Sequence, residues 1–133
     1  MPFHVRQAVP FFGVTNIEAS VRWYVDLLGF EMTKKWTPDG KLKWCWLQHG
    51  DAALMLQEFA TVPGGKLGEG VSINFVCDDA IAVYREVKER GVDARRPFVG
   101  NGMWVTSMSD PDGYRLYFES VTDAPEETEL DES

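Results

Sequence analysis

The chain has 133 residues, 44% of them hydrophobic, and a formal net charge of −8. That is enough material for one domain burying roughly two thirds of its unfolded surface. No apolar run approaches the ~20 residues of a membrane span and the N-terminus lacks a signal-peptide pattern, so a cytoplasmic protein is expected, and its acidity argues against nucleic acid as partner.

Residues 9–14 form an apolar run ahead of Asn16, a residue type well suited to cap a helix. Ile17, Val21, Tyr24 and Leu28 then recur at helical spacing on one face, with Glu18, Arg22 and Asp26 opposite. Gly29 ends the helix as a C′ glycine would. Residues 30–36 read as a strand, 37–40 (Thr-Pro-Asp-Gly) as a turn, 42–48 as the hairpin partner and 52–59 as a further strand. The glycine-rich stretch 61–70 reads as a linker. Beyond it, residues 71–77 are expected as strand, and Asp78 or Asp79 as the cap of a helix buried through Ala80, Val83, Tyr84 and Val87. Gly91 stops that helix, and strands follow at 92–98, Met103–Ser109 and 114–121, with Asp110-Pro111-Asp112-Gly113 as a tight turn. Cys45 and Cys77 lie in strand-like runs and read as free thiols. The last stretch, 122–133, holds six of the 21 acidic residues and no Lys or Arg, which leaves 15 acids against 13 bases, a charge of −2, on the body. A solvated acidic tail is expected there.

The order β-α-β-β-β occurs twice. At an offset of 62 residues, Leu54-Met55-Leu56-Gln57 falls on Leu116-Tyr117-Phe118-Glu119, and His49-Gly50-Asp51 on Pro111-Asp112-Gly113. Duplicated modules imply a shared surface, and a shared surface is where a ligand would sit. The expected organisation is a single domain over 1–133: module one at about 8–59, a linker at about 60–70, module two at about 71–121 and the tail at 122–133.

Three stretches carry a family resemblance: Val14-Thr15-Asn16-Ile17-Glu18-Ala19-Ser20-Val21-Arg22-Trp23-Tyr24, then Leu28-Gly29-Phe30, and Ser109-Asp110-Pro111-Asp112-Gly113-Tyr114. Over about residues 8–121 the chain resembles the vicinal oxygen chelate superfamily of glyoxalases, bleomycin-resistance proteins and ring-cleaving dioxygenases. The resemblance implies an α+β fold of two tandem βαβββ modules forming a curled, open mixed barrel with a concave central cavity. It also implies a homodimer. Metal-using members hold one divalent ion through a first-strand and a last-strand residue of each module. The motif spacing carries those places onto Val9, Met55, Ser72 and Tyr117. Valine offers no lone pair, methionine a soft thioether, serine a neutral oxygen and tyrosine a phenol of pKa near ~10. A divalent site wants at least three His or carboxylate ligands, so neither metal nor other cofactor is expected. His4, His49 and Asp51 read as exposed residues near strand ends, while Glu58 and Glu119 stand out as lone carboxylates.

Strand alternation then sorts the faces. If Val9, Met55, Ser72 and Tyr117 face the cavity, so do Phe11, Gln57, Asn74, Arg115 and Glu119, while Leu54, Leu56, Ile73, Phe75, Leu116 and Phe118 face the helices. Trp44 and Trp46 share one face of their strand, and Trp36 and Trp104 lie on neighbouring strands. Each indole can bury about 200 Å², worth at most about 5 kcal/mol. The rings could fill the interior or a dimer seam, or clamp an aromatic or conjugated ligand oriented by Ser72, Asn74, Gln57, Tyr117 and Glu119. Arg115 could pair with Glu119 or with a ligand carboxylate. The reading adopted is a metal-free small-molecule-binding protein of the antibiotic- or xenobiotic-sequestering kind. Its rivals are a glyoxalase-type lyase or isomerase, metal-dependent or using Glu119 or Tyr117 as acid or base, and a dimeric scaffold without a ligand.

Overall fold

The computed structural model describes residues 2–59 and 67–132, and the expected linker therefore lies largely outside the described residues. The chain folds as two compact units, Met1–Gly65 and Lys66–Ser133. The first contains β1 (Phe11–Val14), α1 (Ile17–Arg22), β2 (Glu31–Trp36), β3 (Trp44–His49) and β4 (Ala52–Glu58). The second repeats that order as β5 (Ser72–Val76), α2 (Ala80–Glu89), β6 (Arg95–Gly100), β7 (Met103–Ser109) and β8 (Arg115–Val121). Each unit is thus a βαβββ module with one open, four-stranded mixed sheet, ordered β1-β4-β3-β2 in the first and β5-β8-β7-β6 in the second. The first strand of each pairs parallel to the last, and the hairpin strands run antiparallel.

The core of each unit lies between its helix and one sheet face, as the alternation requires. In the first unit Phe12, Val14, Cys45, Leu47, Leu54 and Leu56 are buried with Ile17, Tyr24 and Leu28. In the second, Phe75, Leu116 and Phe118 are buried with Ala80, Tyr84 and Val87, and the Phe75 and Phe118 rings stack at 4.9 Å. The buried Cys45 thiol is pushed up to about 11 by desolvation, so it stays protonated at neutral pH; both cysteines are free.

The helix ends show how the repeat was legible. Asn16 and Asp79 are the N-caps, their side-chain oxygens accepting the N–H groups of Ala19 (3.1 Å) and Ala82 (3.0 Å). α2 closes with paired bonds around Gly91, from Gly91 N–H to Lys88 O (3.0 Å) and from Val92 N–H to Val87 O (2.9 Å). The first helix departs from that pattern. After Arg22 it widens into a π turn, Trp23–Leu27, and Phe30 N–H closes on Tyr24 O (3.0 Å), one residue further back than in α2. Within the regular turn that precedes it, Ser20 is buried beside Ile17 where the sequence spacing predicts Val21; both positions are compatible with one helix face, and packing selects Ser20.

The C-terminal segment corrects the expectation of a solvated tail. It runs antiparallel along β6, with Glu127 N–H bonded to Val99 O (2.8 Å), Val99 N–H to Thr128 O (2.8 Å) and Leu130 N–H to Pro97 O (2.9 Å). Several of its acids have partners. Glu126 accepts the N–H groups of Asn101 (2.7 Å) and Gly102 (3.0 Å), Glu129 and Glu132 pair with Arg96 (3.5 and 3.3 Å), and Glu132 also bonds Tyr84 and Lys88. The reason is edge satisfaction: without the segment, the outer side of β6 would present unpaired backbone groups.

Candidate functional site

In each unit the sheet face turned away from the helix carries the residues singled out from the sequence. Two cross-strand rows build that face in the first unit: Lys34–Trp46–Met55–Phe11 and Trp36–Trp44–Gln57–Gly13. The alternation explains the division. Cys45 and Leu47 point into the core, so Trp44 and Trp46 point out of it and are half-buried. Trp36 remains 54% exposed and Phe11 48% exposed. Trp46 is fixed in place, its Nε1–H donating to Gln48 Oε1 (2.8 Å) while the Lys34 ammonium lies 4.7 Å from the ring centroid. Gly13 leaves room for Phe59, since a Cβ there would come within 2.5 Å of that ring, and Phe59 in turn lies 6.3 Å from Phe11. Phe11, Trp36, Trp44, Trp46, Met55 and Gln57 are therefore gathered on one aromatic surface.

The corresponding face of the second unit is polar. Ser72 stands opposite Arg115, Asn74 opposite Tyr117 and Val76 opposite Glu119, with Ser109, Ser107 and Val105 in the same three rows. Asn74 Nδ2 donates to Glu119 Oε1 (2.6 Å). Arg115 Nη1 donates to Ser109 Oγ (2.8 Å) and Nη2 to Ser107 Oγ (3.5 Å), with the guanidinium 5.8 Å from the Tyr117 ring centroid. Of the two partners weighed for Arg115, Glu119 is engaged elsewhere. The register that creates this arrangement comes from the 110–113 turn. Gly113 N–H bonds Asp110 O (3.0 Å), and Asp110 Oδ1 accepts the N–H groups of Asp112 and Tyr114. Gly113 has φ +88°, and Gly68, at φ +74°, approaches it so closely that a Cβ would meet its backbone at 2.5 Å.

Trp104 does not belong with these residues. It stands opposite Ser120 and Val99, in the row that faces α2: Thr106, two residues on, bonds Ala80 O (2.7 Å) and Ser120 bonds Ala80 N–H (2.8 Å). Strand membership was legible, but the face required the β7–β8 register. Glu58 is likewise a structural group, not one poised for acid–base work. It lies on the helix side of β4, accepting Ile17 N–H (3.0 Å) and pairing with Lys41 (3.6 Å). The first of these bonds, helped by the charges of Lys41 and Lys43, holds its carboxyl below the usual range. His49 packs edge-on against Phe30 (5.3 Å). The sequence reading passed over Lys34, Ser107 and Ser109. Ser109 was recoverable only in part, because a turn read as 110–113 would set it opposite Tyr114, whereas the observed pairing with Arg115 leaves five residues, 110–114, in the connection.

The four places expected to hold a divalent ion do not fit one. Val9 precedes β1 and is apolar, Met55 lies in the aromatic face, and Ser72 and Tyr117 offer only neutral oxygens. Among the described residues no group of three or more His, Cys, Asp or Glu is placed to hold a metal. Nor, among them, is any helix long and apolar enough to cross a membrane.

Residues 4–118 match the Glyoxalase/Bleomycin resistance protein/Dioxygenase superfamily. The chain belongs to that superfamily. No curated protein matches it. Solved structures with the same fold include TioX from Micromonospora sp. ML1 (16% identity over 89% of this chain and 100% of that one, TM-score 0.72). TnmS3, an antibiotic binding protein from Streptomyces sp. CB03234, is 21% identical over 90% of this chain and 100% of its own, with TM-score 0.69. A glyoxalase/bleomycin resistance protein/dioxygenase from Nocardioides is 14% identical over 98% and 93%, with TM-score 0.68. Superfamily membership agrees with the two βαβββ modules and with the resemblance carried by the sequence motifs.

Proposed function

We propose that the protein binds a planar aromatic or conjugated small molecule without a metal ion, as a sequestering protein for an antibiotic or other xenobiotic. The observation that carries this reading is the aromatic face of the first unit. Trp44 and Trp46 stand on the side of the sheet away from the core, beside Trp36 and Phe11, which keep about half their surface in water. Rings outside a core forgo much of the stabilisation their burial would give, and a stacking ligand would restore it. The donor set at Val9, Met55, Ser72 and Tyr117 supports the metal-free part. The shared fold with TnmS3, described as an antibiotic binding protein, is consistent with it. An enzymatic role for Glu119 would compete with its 2.6 Å bond from Asn74, which favours binding over proton transfer.

Tryptophan fluorescence titration against a panel of planar aromatic compounds tests the reading. At least one compound is expected to quench with saturation in the micromolar range. Trp46→Ala should abolish that response while the thermal midpoint of the variant stays near wild type, because the ring is not core. Absence of quenching by every compound up to high micromolar concentration would overturn it.

A further inference from the structure

We propose that Arg115, with the hydroxyl of Ser109, forms an oxyanion subsite on the open face of the second unit, and that the ligand is an aromatic carboxylate. The inference rests on the reading of the open sheet faces as ligand surfaces, and adds the chemical class of what is held there.

Arg115 is half-buried, yet its neighbours are neutral: Ser109 Oγ at 2.8 Å, Ser107 Oγ at 3.5 Å and the Tyr117 ring at 5.8 Å. Among the described residues, the ion pairs engage Lys41, Lys88 and Arg96, and no carboxylate reaches Arg115. The acid nearest to it along β8 on the same face is Glu119, two rows away. Four residues of strand put its Cα about 13 Å from that of Arg115, at ~3.3 Å per residue, and its carboxylate is taken by Asn74.

A guanidinium has five donor hydrogens in a planar fork, and this one uses its two terminal nitrogens on serine oxygens. Exposed Ser109, by accepting, keeps its own hydroxyl hydrogen to donate onward, while Ser107, 2% exposed, anchors the guanidinium from below. The cluster therefore offers hydrogens, positive charge and no competing anion. That is the complement of a carboxylate, whose two oxygens match the fork and take the Ser109 hydroxyl donor as well. The side chain is also held in position, by the serines on β7 and by the Tyr117 face, so little freedom is lost when an anion arrives. Tyr117, one row along from Arg115, supplies a ring on which the aromatic part of such a ligand can stack. Glu119 beyond it disfavours a second anionic group and accepts a hydroxyl or amine at the far end.

Calorimetric titration with 2-naphthoate and its neutral counterpart 2-naphthamide tests the subsite. The expected result is at least tenfold tighter binding of 2-naphthoate, with a preference that shrinks as salt rises. Arg115→Gln should lower the affinity for 2-naphthoate at least tenfold and that for 2-naphthamide far less, so that the preference for the anion disappears. Arg115→Lys, which keeps the charge but loses the fork, should recover only part of the difference. The wild-type comparison alone decides the matter if Arg115→Gln fails to fold. Equal affinity for the two compounds overturns the oxyanion subsite and leaves the aromatic-binding reading standing. Binding of neither, in a protein that also fails the fluorescence titration, overturns both.

Discussion

Glu58 and Ser120 occupy matching places at the ends of β4 and β8, and each does the same work with different chemistry. The first N–H of α1 donates to Glu58 and the first N–H of α2 to Ser120, at 3.0 and 2.8 Å. Helix N-termini leave such groups without partners, and here the last strand of the module supplies one. Glu58→Ala should cost about 1 kcal/mol and the buried Ser120→Ala about 1–2 kcal/mol in urea unfolding. Their pH dependence separates them. The folded pKa of Glu58 lies below its ordinary 4.5, lowered first by the Ile17 N–H and then by Lys41 and Lys43. A depressed carboxyl stabilises the fold fully above its unfolded value and loses that contribution as pH falls through the folded one. The gap between wild type and Glu58→Ala should therefore close as pH drops below 4.5, while the Ser120→Ala gap persists. Asn16 as a cap was readable from three residues of local sequence. Glu58 and Ser120 were not, because their partners lie 41 and 40 residues away.

Among the elements, the C-terminal segment is where a local reading of charge met a tertiary need. Six acids without a base read as a chain that water would keep, yet Arg96, Lys88, Tyr84 and the β6 backbone recruit it. Truncation after Thr122 removes three backbone bonds to β6 and the half-buried Leu130. The expected effects are a thermal midpoint lower by roughly 5–10 °C and concentration-dependent association in size-exclusion chromatography, since the uncovered edge can pair with another chain. The π turn after α1 shows the opposite balance. The helix itself was legible from Asn16, its apolar recurrence and Gly29. Ser20 takes the place expected of Val21 on the packed face because three- and four-residue steps from Ile17 both stay on one helix face, and the π turn that follows is announced by no periodicity. The sheet faces were set by period-two alternation wherever one side is core, whereas Trp104 could be given a strand but no face until β7 paired with β8.

For the whole molecule, the metal-free reading depends on residue types and so can be checked without knowing the ligand. Elemental analysis of protein purified without chelator should find less than about a tenth of an equivalent of Zn, Ni, Fe or Mn, because no three hard or borderline donors share a place among the described residues. A stoichiometric metal would put the enzymatic reading ahead of the binding one. The sequence by itself determined the duplicated βαβββ order, the superfamily and the absence of His or carboxylate from the four expected ligand positions, since these follow from periodicity, caps, turns and side-chain chemistry along the chain. Only the tertiary structure decided that Arg115 answers to serines and Asn74 to Glu119, that Trp104 turns towards α2, and that the acidic end lies bound along β6. Those outcomes depend on strand register and on pairs far apart in the chain, and sequence spacing alone cannot bring such groups to within hydrogen-bonding distance.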